Sequence, residues 1–311
     1  MEIGPIVHAP AILARLSHEL AAPRGIYLPL RIENDVVGWV DPERAEVLLR
    51  FADVFHRRTS GGITSGLAFD ATLRSSTART AALDRVVDVL AAEDRLSAWR
   101  GERYAIATHF SAPPLCLIER AAARFFGIHT YAAHVNGLVR GDPTSMWLSR
   151  RSPGKAIDPG MLDNLVGGGI AAGATVAETM VREAWEEAGI SADIAVTATP
   201  AGEVRVCRSQ PDGLQRETIF THDLFLPADF VPSNQDGEAI EQRLVSLVEA
   251  AALIANDRGS DVVTADASLV ILDFLLRHGS VDVDTPAYRA LGALRFPPLE
   301  LGMPGADRGS D

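Results

Sequence analysis

Three glutamates in the segment 167–190 have a spacing that suits metal-assisted chemistry on a phosphate. Glu183, Glu186 and Glu187 stand at positions i, i+3 and i+4, so on a helix their carboxylates share one narrow stripe. Like charges at this spacing repel one another by roughly a few tenths of a kcal/mol per exposed pair, so the stripe favours a nearby counter-charge. A hard divalent cation supplies that charge, because Mg2+ and Mn2+ prefer carboxylate oxygens and complete their coordination with water and substrate phosphate.

A second interpretation of this stripe is a solvated acidic face, because glutamate-rich helices are common. Arg182 reaches Glu178 and Glu186, one turn away on either side, but it lies about 100° around the helix from Glu183 and cannot neutralise the whole stripe. The glycine-rich turn that precedes the helix favours the metal-binding interpretation over the solvated face.

The elements that must position the carboxylates follow from the flanking residues. Glycines at 167–169 form a turn that runs into the helix, and Gly189 ends the helix. The opposite side of the helix carries apolar residues spaced 4, 3 and 4 apart, which predicts a stripe packed on a sheet. These residues are Ala177, Val181, Ala184 and Ala188.

The same segment resembles the signature of the Nudix hydrolases, G-x5-E-x7-R-E-U-x-E-E-x-G-U, in which U is a bulky aliphatic residue. Two positions depart from the pattern, because its first glutamate is Ala174 here and its first U position is Ala184. Seven fixed positions match over 23 residues: Gly168, Arg182, Glu183, Glu186, Glu187, Gly189 and Ile190.

The resemblance implies roles for the matched residues. Glu183, Glu186 and Glu187 would bind a divalent metal, Mg2+ or else Mn2+, and Arg182 would orient Glu183. Ala174 removes one acidic group near the metal, which bears on metal number and rate more than on the reaction class. Glu178 is expected to pair with Arg182; the alternative is that it compensates for Ala174.

Nudix proteins often place a further carboxylate outside this segment, as a metal ligand or base, and Glu238 is the candidate here. The alternative is an ordinary exposed loop glutamate. The residue that accepts a proton from the attacking water is then Glu183, Glu187 or Glu238, and the sequence leaves that choice open.

A basic cluster precedes the acidic helix and consists of Arg150, Arg151 and Lys155. Basic side chains beside a carboxylate-bound metal suit a diphosphate, whose remaining oxygens take charge-assisted hydrogen bonds. The cluster therefore predicts substrate-binding residues, and a solvated turn is the alternative.

Composition limits the class of protein. A chain of 311 residues with 47% apolar residues is long enough for two domains, and a net charge of −12 argues against a dedicated nucleic-acid binder. Cys116 and Cys207 are expected to be buried free thiols of a reducing compartment. No signal peptide or membrane span is recognisable, so the predicted location is the cytoplasm.

The order of elements predicts an N-terminal α+β domain over 1–128 and a Nudix domain over 129–311. Asp41 is a predicted helix N-cap, 59–66 a flexible turn rather than a phosphate loop, and 78–99 and 114–126 are predicted helices. The hairpin turn falls at 141–144, a strand is expected at 194–198, and the last helix, 268–278, precedes a tail.

Several stretches outside the signature narrow the resemblance to the Nudix branch linked to thiamine pyrophosphokinase. They are HVNGLV, PGMLDNLVGGG, LPADFVPSNQDGE and SLVILDFLLRHG. The resemblance implies an α/β/α sandwich with a mixed sheet, preceded by the smaller α+β domain. It also implies Mg2+-dependent hydrolysis of a small-molecule diphosphate to its monophosphate, with thiamine diphosphate or its oxidised analogues as substrate. The alternatives are a hydrolase of a nucleoside diphosphate derivative and a non-catalytic ligand sensor. The N-terminal domain either caps the pocket or mediates a homodimer.

Overall fold

The computed structural model describes residues 8–96, 99–141, 144–279 and 285–302. The N-terminal part begins with helix α1 (Ala9–Glu19) and continues with a small sheet and two helices. These elements are β1 (Leu28–Ile32), β2 (Asp35–Val40), α2 (Pro42–Leu48), β3 (Phe55–Ser60), β4 (Ile63–Phe69), α3 (Ser76–Ala92), β5 (Arg103–Ile106) and β6 (Cys116–Glu119).

The N-terminal sheet has the strand order β2-β1-β4-β3, and β5 and β6 form a separate antiparallel pair. One continuous hydrophobic core, from Leu28 to Ile128, joins this sheet to α2, α3 and β6. The predicted N-cap of α2 is confirmed, because the Asp41 carboxylate accepts a hydrogen bond of 2.9 Å from the backbone N–H of Arg44. This part is an α+β unit.

Two predictions in this unit are wrong. Residues 59–66 are the end of a β-hairpin made by β3 and β4, rather than a flexible turn. The predicted helix 114–126 contains strand β6 and a short 3-10 turn at Arg120–Ala122. Pairing with β5 and burial of Ile118 against the core outweigh the helical pattern of this stretch.

The second part of the chain carries a larger sheet and the remaining helices. These elements are β7 (His129–Val139), β8 (Ser145–Arg151), β9 (Leu162–Asn164), β10 (Val166–Gly169), α4 (Val176–Ala188), α5 (Ala192–Ala195), β11 (Thr199–Gln210), β12 (Gly213–Leu226), β13 (Ala239–Ser246), α6 (Leu247–Ala255), α7 (Ala265–His278) and α8 (Pro286–Leu294).

The seven-stranded sheet has a main path β11-β12-β7-β8-β13, with β10 paired to β7 and β9 to β8. Strands β7 and β12 are parallel and the other pairs are antiparallel, so the sheet is mixed. Helix α4 packs on one face through Val135 and Val166, and α7 packs on the other through Ala132 and Ile219. The expected α/β/α sandwich, preceded by a smaller α+β unit, is confirmed.

Two features of the second part differ from the predicted elements or add to them. Residues 194–198, predicted as a strand, overlap the short helix α5. Helix α8 lies in the segment that was expected to be a tail, and it packs on α1 and α7. The turn predicted at 141–144 includes residues 142 and 143, which lie outside the described residues.

Helix α1 packs against the C-terminal helices rather than against the N-terminal core. Ile12 and Leu16 are fully buried in the cluster that also contains α6, α7 and α8. The Arg15 guanidinium reaches the carbonyl of Ile254 at 3.0 Å, so this contact joins the two ends of the chain. The domain division between residues 128 and 129 stays a prediction. No helix among the described residues is long and apolar enough to span a membrane.

Candidate active site

Helix α4 is capped at both ends by its own sequence. The Thr175 hydroxyl accepts from the N–H of Glu178 at 3.1 Å, while the Glu178 carboxylate accepts from the N–H of Thr175 at 2.9 Å. Gly189 ends the helix at a φ of 64°, in the left-handed region that favours glycine. Glu178 therefore caps the helix, and the expected pairing with Arg182 is wrong because the cap holds this carboxylate.

The buried face of α4 is shifted from the predicted apolar stripe. Met180, Ala184 and Ala188 are buried and Val181 is partly buried, but Ala177 is exposed on the first turn beside the cap. Glu183 is also buried, at 8% exposure. One edge of the acidic stripe is thus directed at the sheet, and the carboxylates do not all face solvent.

The three carboxylates of the stripe have different partners. The Arg182 guanidinium lies 2.7 Å from the Glu183 carboxylate and 3.0 Å from that of Glu186. The Glu187 carboxylate turns inward and accepts from the backbone N–H of Gly167 at 2.8 Å. Glu183 and Glu186 line the cleft described below, whereas Glu187 is not among the residues that line it.

Burial changes the proton affinity of two of these groups. Burial raises the pKa of Glu183, and the Arg182 guanidinium opposes that rise. Burial raises the pKa of Glu187 well above its usual range, and the neighbouring Glu183 carboxylate adds to the effect. Two buried carboxylates one turn apart therefore lack full charge compensation, which a cation would provide.

The carboxylates of α4 have the chemistry of a site for a hard cation, although in this structure Glu183 and Glu186 are paired with the Arg182 guanidinium. Among the described residues, no three carboxylate, imidazole or thiolate side chains already converge as metal ligands. Instead, the Arg182 guanidinium lies between Glu183 and Glu186. These carboxylates fit a divalent ion by their chemistry and burial.

The glycines of β10 make room for three side chains. A Cβ on Gly168 would lie 2.1 Å from a Glu183 carboxylate oxygen, and one on Gly169 would lie 1.9 Å from the Tyr104 hydroxyl. A Cβ on Gly167 would lie 2.8 Å from the His134 ring. Residues along a strand alternate between faces, so Glu183 lies on one side of β10 and the other two side chains lie on the opposite side.

A cleft of about 390 Å³ opens along β10, and both units of the molecule line it. The second unit contributes the glycines, His134, Arg182, Glu183 and Glu186. The N-terminal unit contributes polar and charged side chains that carried no recognisable motif: Arg100, Glu102, Tyr104, Arg120 and Arg124. Sequence reasoning missed this wall because its two segments, 100–104 and 120–124, match no recognised motif and lie far from the helix in sequence.

Two members of the predicted basic cluster line the cleft and the third does not. Arg151 lies 2.7 Å from Asp163, and Lys155 forms an ion pair with Glu238. Burial lowers the pKa of Lys155 to about 8. Arg150 faces away, because neighbouring residues of a strand point to opposite sides, and its guanidinium contacts Glu241 and Asp261.

Glu238 lines the cleft and is held there by two cations. Besides Lys155, the Arg100 guanidinium of the N-terminal unit lies 2.9 Å from the Glu238 carboxylate. Its own backbone N–H donates to Asp236 at 2.8 Å. Glu238 is thus a partly buried, paired carboxylate and not a free loop side chain, and it joins the two units at the mouth of the cleft.

The two thiols are buried and unbonded, as expected from their positions in the sequence. Cys116 lies in the N-terminal core and Cys207 in strand β11. Burial raises the pKa of both thiols, so neither has the character of a reactive thiolate.

Family models match the two parts of the chain separately. Residues 13–130 match a domain of unknown function, DUF4743, and residues 130–266 match the NUDIX domain. The match to the NUDIX domain contains helix α4 and the cleft residues of the second unit.

Two relatives that are named Nudix hydrolases align with this chain over most of their length. The chain is 37% identical to "Nudix hydrolase 24, chloroplastic" of Arabidopsis thaliana over 266 residues, which are 85% of this chain and 71% of that protein. It is 35% identical to "Nudix hydrolase 20, chloroplastic" of Arabidopsis thaliana over 269 residues, with the same coverage. A solved structure of DR0079 from Deinococcus radiodurans aligns with a TM-score of 0.40 at 23% identity, covering 54% of this chain and 97% of that one. With the signature residues on α4 and these relatives, the chain belongs to the Nudix hydrolase family and is a Nudix-type diphosphate hydrolase.

Proposed function

We propose that the protein hydrolyses a small-molecule diphosphate to its monophosphate and phosphate, with Mg2+ as the cofactor and Mn2+ as an alternative ion. The observation that carries this proposal is the position of Glu183 and Glu186 beside a cleft whose wall also contains Arg151 and Lys155. Carboxylates for a cation and cationic donors for phosphate oxygens thus line the same cleft.

The residues that would hold the ion are Glu183, Glu186 and Glu187. When bound, a divalent cation neutralises charge on the diphosphate and activates water for attack on phosphorus. Arg182 orients Glu183 through its 2.7 Å contact and places a positive charge between the carboxylates of Glu183 and Glu186. Ala174, in place of the first glutamate of the signature, leaves one carboxylate fewer for a second ion.

Among the three candidate bases, Glu183 has the position that best suits proton transfer in the cleft. It lines the cleft and is buried, whereas Glu187 does not line the cleft and accepts from Gly167, and Glu238 is paired with Lys155 and Arg100. Proton abstraction requires hydrogen-bond reach to the attacking water, so a residue at the cleft surface is favoured.

The proposed substrate is thiamine diphosphate or one of its oxidised analogues. This choice rests on the resemblance to the thiamine pyrophosphokinase-linked branch. A nucleoside diphosphate derivative is the alternative within the same chemistry. We also propose a cytoplasmic location and a homodimer, with no nucleic acid or membrane among the partners.

The test is mass analysis of the products from a panel of diphosphates with and without Mg2+, with orthophosphate release as a second readout for the members that carry a terminal phosphate. The panel contains thiamine diphosphate, its oxo and oxy forms, ADP-ribose, a UDP-sugar and a dinucleoside polyphosphate. Mg2+-dependent turnover strongest on the thiamine compounds is expected. Turnover of nucleotide compounds alone would overturn the proposal of a thiamine-type substrate. Binding without turnover of any compound would overturn the proposal of hydrolysis.

A further inference from the structure

A buried chain of polar side chains runs from the cleft along one face of the sheet to helix α7. His134 Nδ1 lies 2.8 Å from Asn164 Oδ1, and Asn164 Nδ2 lies 3.4 Å from Asn136 Oδ1. Asn136 Nδ2 then lies 3.0 Å from the Asp223 carboxylate, which is paired with the Arg277 guanidinium at 2.7 Å. Three side chains of the sheet, His134, Asn164 and Asn136, are therefore connected to the Asp223–Arg277 ion pair.

The charged end of this chain sets the direction of every hydrogen bond in it. The Asp223 carboxylate, paired with Arg277, accepts only, so Asn136 must present its NH2 group to Asp223 and its oxygen to Asn164. Asn164 must then donate to Asn136 and accept from His134. His134 consequently carries its proton on Nδ1, and in the neutral imidazole Nε2 holds a lone pair.

The acceptor nitrogen of this ring faces no donor in the part of the chain that the structure describes. His134 is 9% exposed and lines the cleft, and its ring lies against Gly167, where a Cβ would approach Nε2 to 3.0 Å. Within the described ranges, no hydrogen-bond partner is present for Nε2. Because His134 lines a ligand-sized cleft, its Nε2 lone pair is available to accept a hydrogen bond from a ligand.

His134 lies apart from Glu183, beside which the diphosphate is proposed to bind. His134 belongs to β7 and lies on the side of the neighbouring strand β10 that is opposite Glu183. Thr130 and Ala132 of β7 point to the same side as His134 and also line the cleft. An imidazole lone pair repels phosphate oxygens but accepts a hydrogen bond from an N–H or O–H group. The organic part of a substrate would occupy this side when its diphosphate lies by Glu183.

We propose that His134 is a specificity-determining residue whose Nε2 accepts a hydrogen bond from an N–H or O–H group on the organic part of the substrate. This inference rests on the proposed diphosphate hydrolysis and adds a selection rule to it. Substrates with a donor at this position are preferred over analogues in which the donor is methylated, because the analogue leaves the acceptor unpaired.

The tautomer is tested first, on the full-length protein without substrate. A long-range 1H–15N correlation spectrum of the 15N-labelled protein distinguishes a ring protonated on Nδ1 from one protonated on Nε2. We expect the Nδ1–H form for His134 and a mixture of forms in Asn136→Leu, which interrupts the chain remote from the cleft. An Nε2–H ring, or a doubly protonated ring, in the unaltered protein would overturn the proposal whether or not any diphosphate is hydrolysed.

Substrate selection is tested with two pairs of diphosphates. The pairs are thiamine diphosphate with its N,N-dimethylamino analogue, and ADP with N6,N6-dimethyl-ADP. We expect the unaltered protein to favour the amino compound of at least one pair about tenfold in kcat/KM. His134→Phe should bring that ratio close to one, and His134→Gln, which retains an acceptor oxygen, should restore part of it.

The comparison within each pair makes the result independent of the amount of folded variant. An equal preference in the unaltered protein and in His134→Phe would overturn the role of His134 while leaving hydrolysis intact. If neither pair is turned over, calorimetric binding of the same pairs with Ca2+ is measured instead: a preference for the amino compound that is lost in His134→Phe supports the role of His134, and equal binding overturns it.

Discussion

The two walls of the cleft are built in different ways. On the α4 wall, Arg182, Glu183 and Glu186 lie within five residues, and one arginine contacts both carboxylates at 2.7 and 3.0 Å. On the N-terminal wall, Arg120 contacts Glu102 at 2.7 Å across 18 residues of sequence. The residues of the α4 wall are close together in sequence, whereas those of the N-terminal wall are brought together by folding. We therefore expect substitutions on the α4 wall to affect kcat and substitutions on the N-terminal wall to affect mainly KM.

The largest expected effect lies on the α4 wall. Glu183→Gln should lower kcat by roughly 10²- to 10⁴-fold, because it removes a carboxylate from the reacting centre. Glu187→Gln should likewise abolish most turnover while leaving the fold intact. Steady-state phosphate release with Mg2+ measures both.

Glu178→Gln is the matched control, because it changes a carboxylate on the same helix whose role is capping, and glutamine retains the capping interaction. Its kcat should stay close to that of the unaltered protein. Equal losses in Glu178→Gln and Glu183→Gln would mean that helix stability, and not the cleft carboxylate, controls the rate.

The next effect concerns Lys155, a cationic side chain of the cleft lining. Lys155→Ala should raise KM for the diphosphate about tenfold or more, because it removes a charge-assisted donor for phosphate oxygens. Arg150→Ala supplies the control, since Arg150 faces away from the cleft and pairs with Glu241 and Asp261. We expect an unchanged KM for that variant, although the loss of these contacts lowers its free energy of unfolding. A KM that rises more in Arg150→Ala than in Lys155→Ala would reverse the assignment.

A smaller effect should come from the N-terminal wall. Arg120→Ala is expected to raise KM about 3- to 10-fold with little change in kcat, because Arg120 lines the cleft but lies outside the signature helix. Arg85→Ala removes an exposed arginine of the same unit that pairs with Asp53 away from the cleft, and it should leave KM unaltered. If both variants behave alike, the N-terminal wall has no part in substrate binding.

The smallest effect is a pH dependence of stability in the metal-free protein. The pKa of Glu187 is raised in the folded state above its ordinary value of 4.5, so the folded protein holds that proton more tightly than the unfolded chain. Its contribution to stability is therefore full at low pH and is lost as pH rises through the folded pKa. Added Mg2+, which takes the ionised carboxylate, should raise Tm more at the upper end of this range.

Thermal unfolding with and without Mg2+ at several pH values measures this effect, and Glu187→Gln should flatten the metal-free profile. A metal-free Tm that rises with pH in the unaltered protein, but not in Glu187→Gln, would contradict the direction of the Glu187 shift.

Much of the fold and part of the cleft followed from local sequence patterns. The helix α4, the strands β7 and β12, the N-cap at Asp41 and the terminating Gly189 each depend on neighbours within a few residues. The predicted helix 114–126 and strand 194–198 were wrong where short apolar runs suit either kind of element. In those cases the packing partners, which are distant in sequence, decided the outcome.

The sequence by itself determined the spacing of the glutamates and the caps of their helix, because helical periodicity and capping are local properties. The tertiary structure alone decided that Glu187 turns inward to Gly167, that Arg151 faces the cleft while Arg150 does not, and that Arg120 contributes to the opposite wall. It also decided the direction of the hydrogen bonds that end at His134. These features depend on contacts between residues far apart along the chain, and folding brings those residues together.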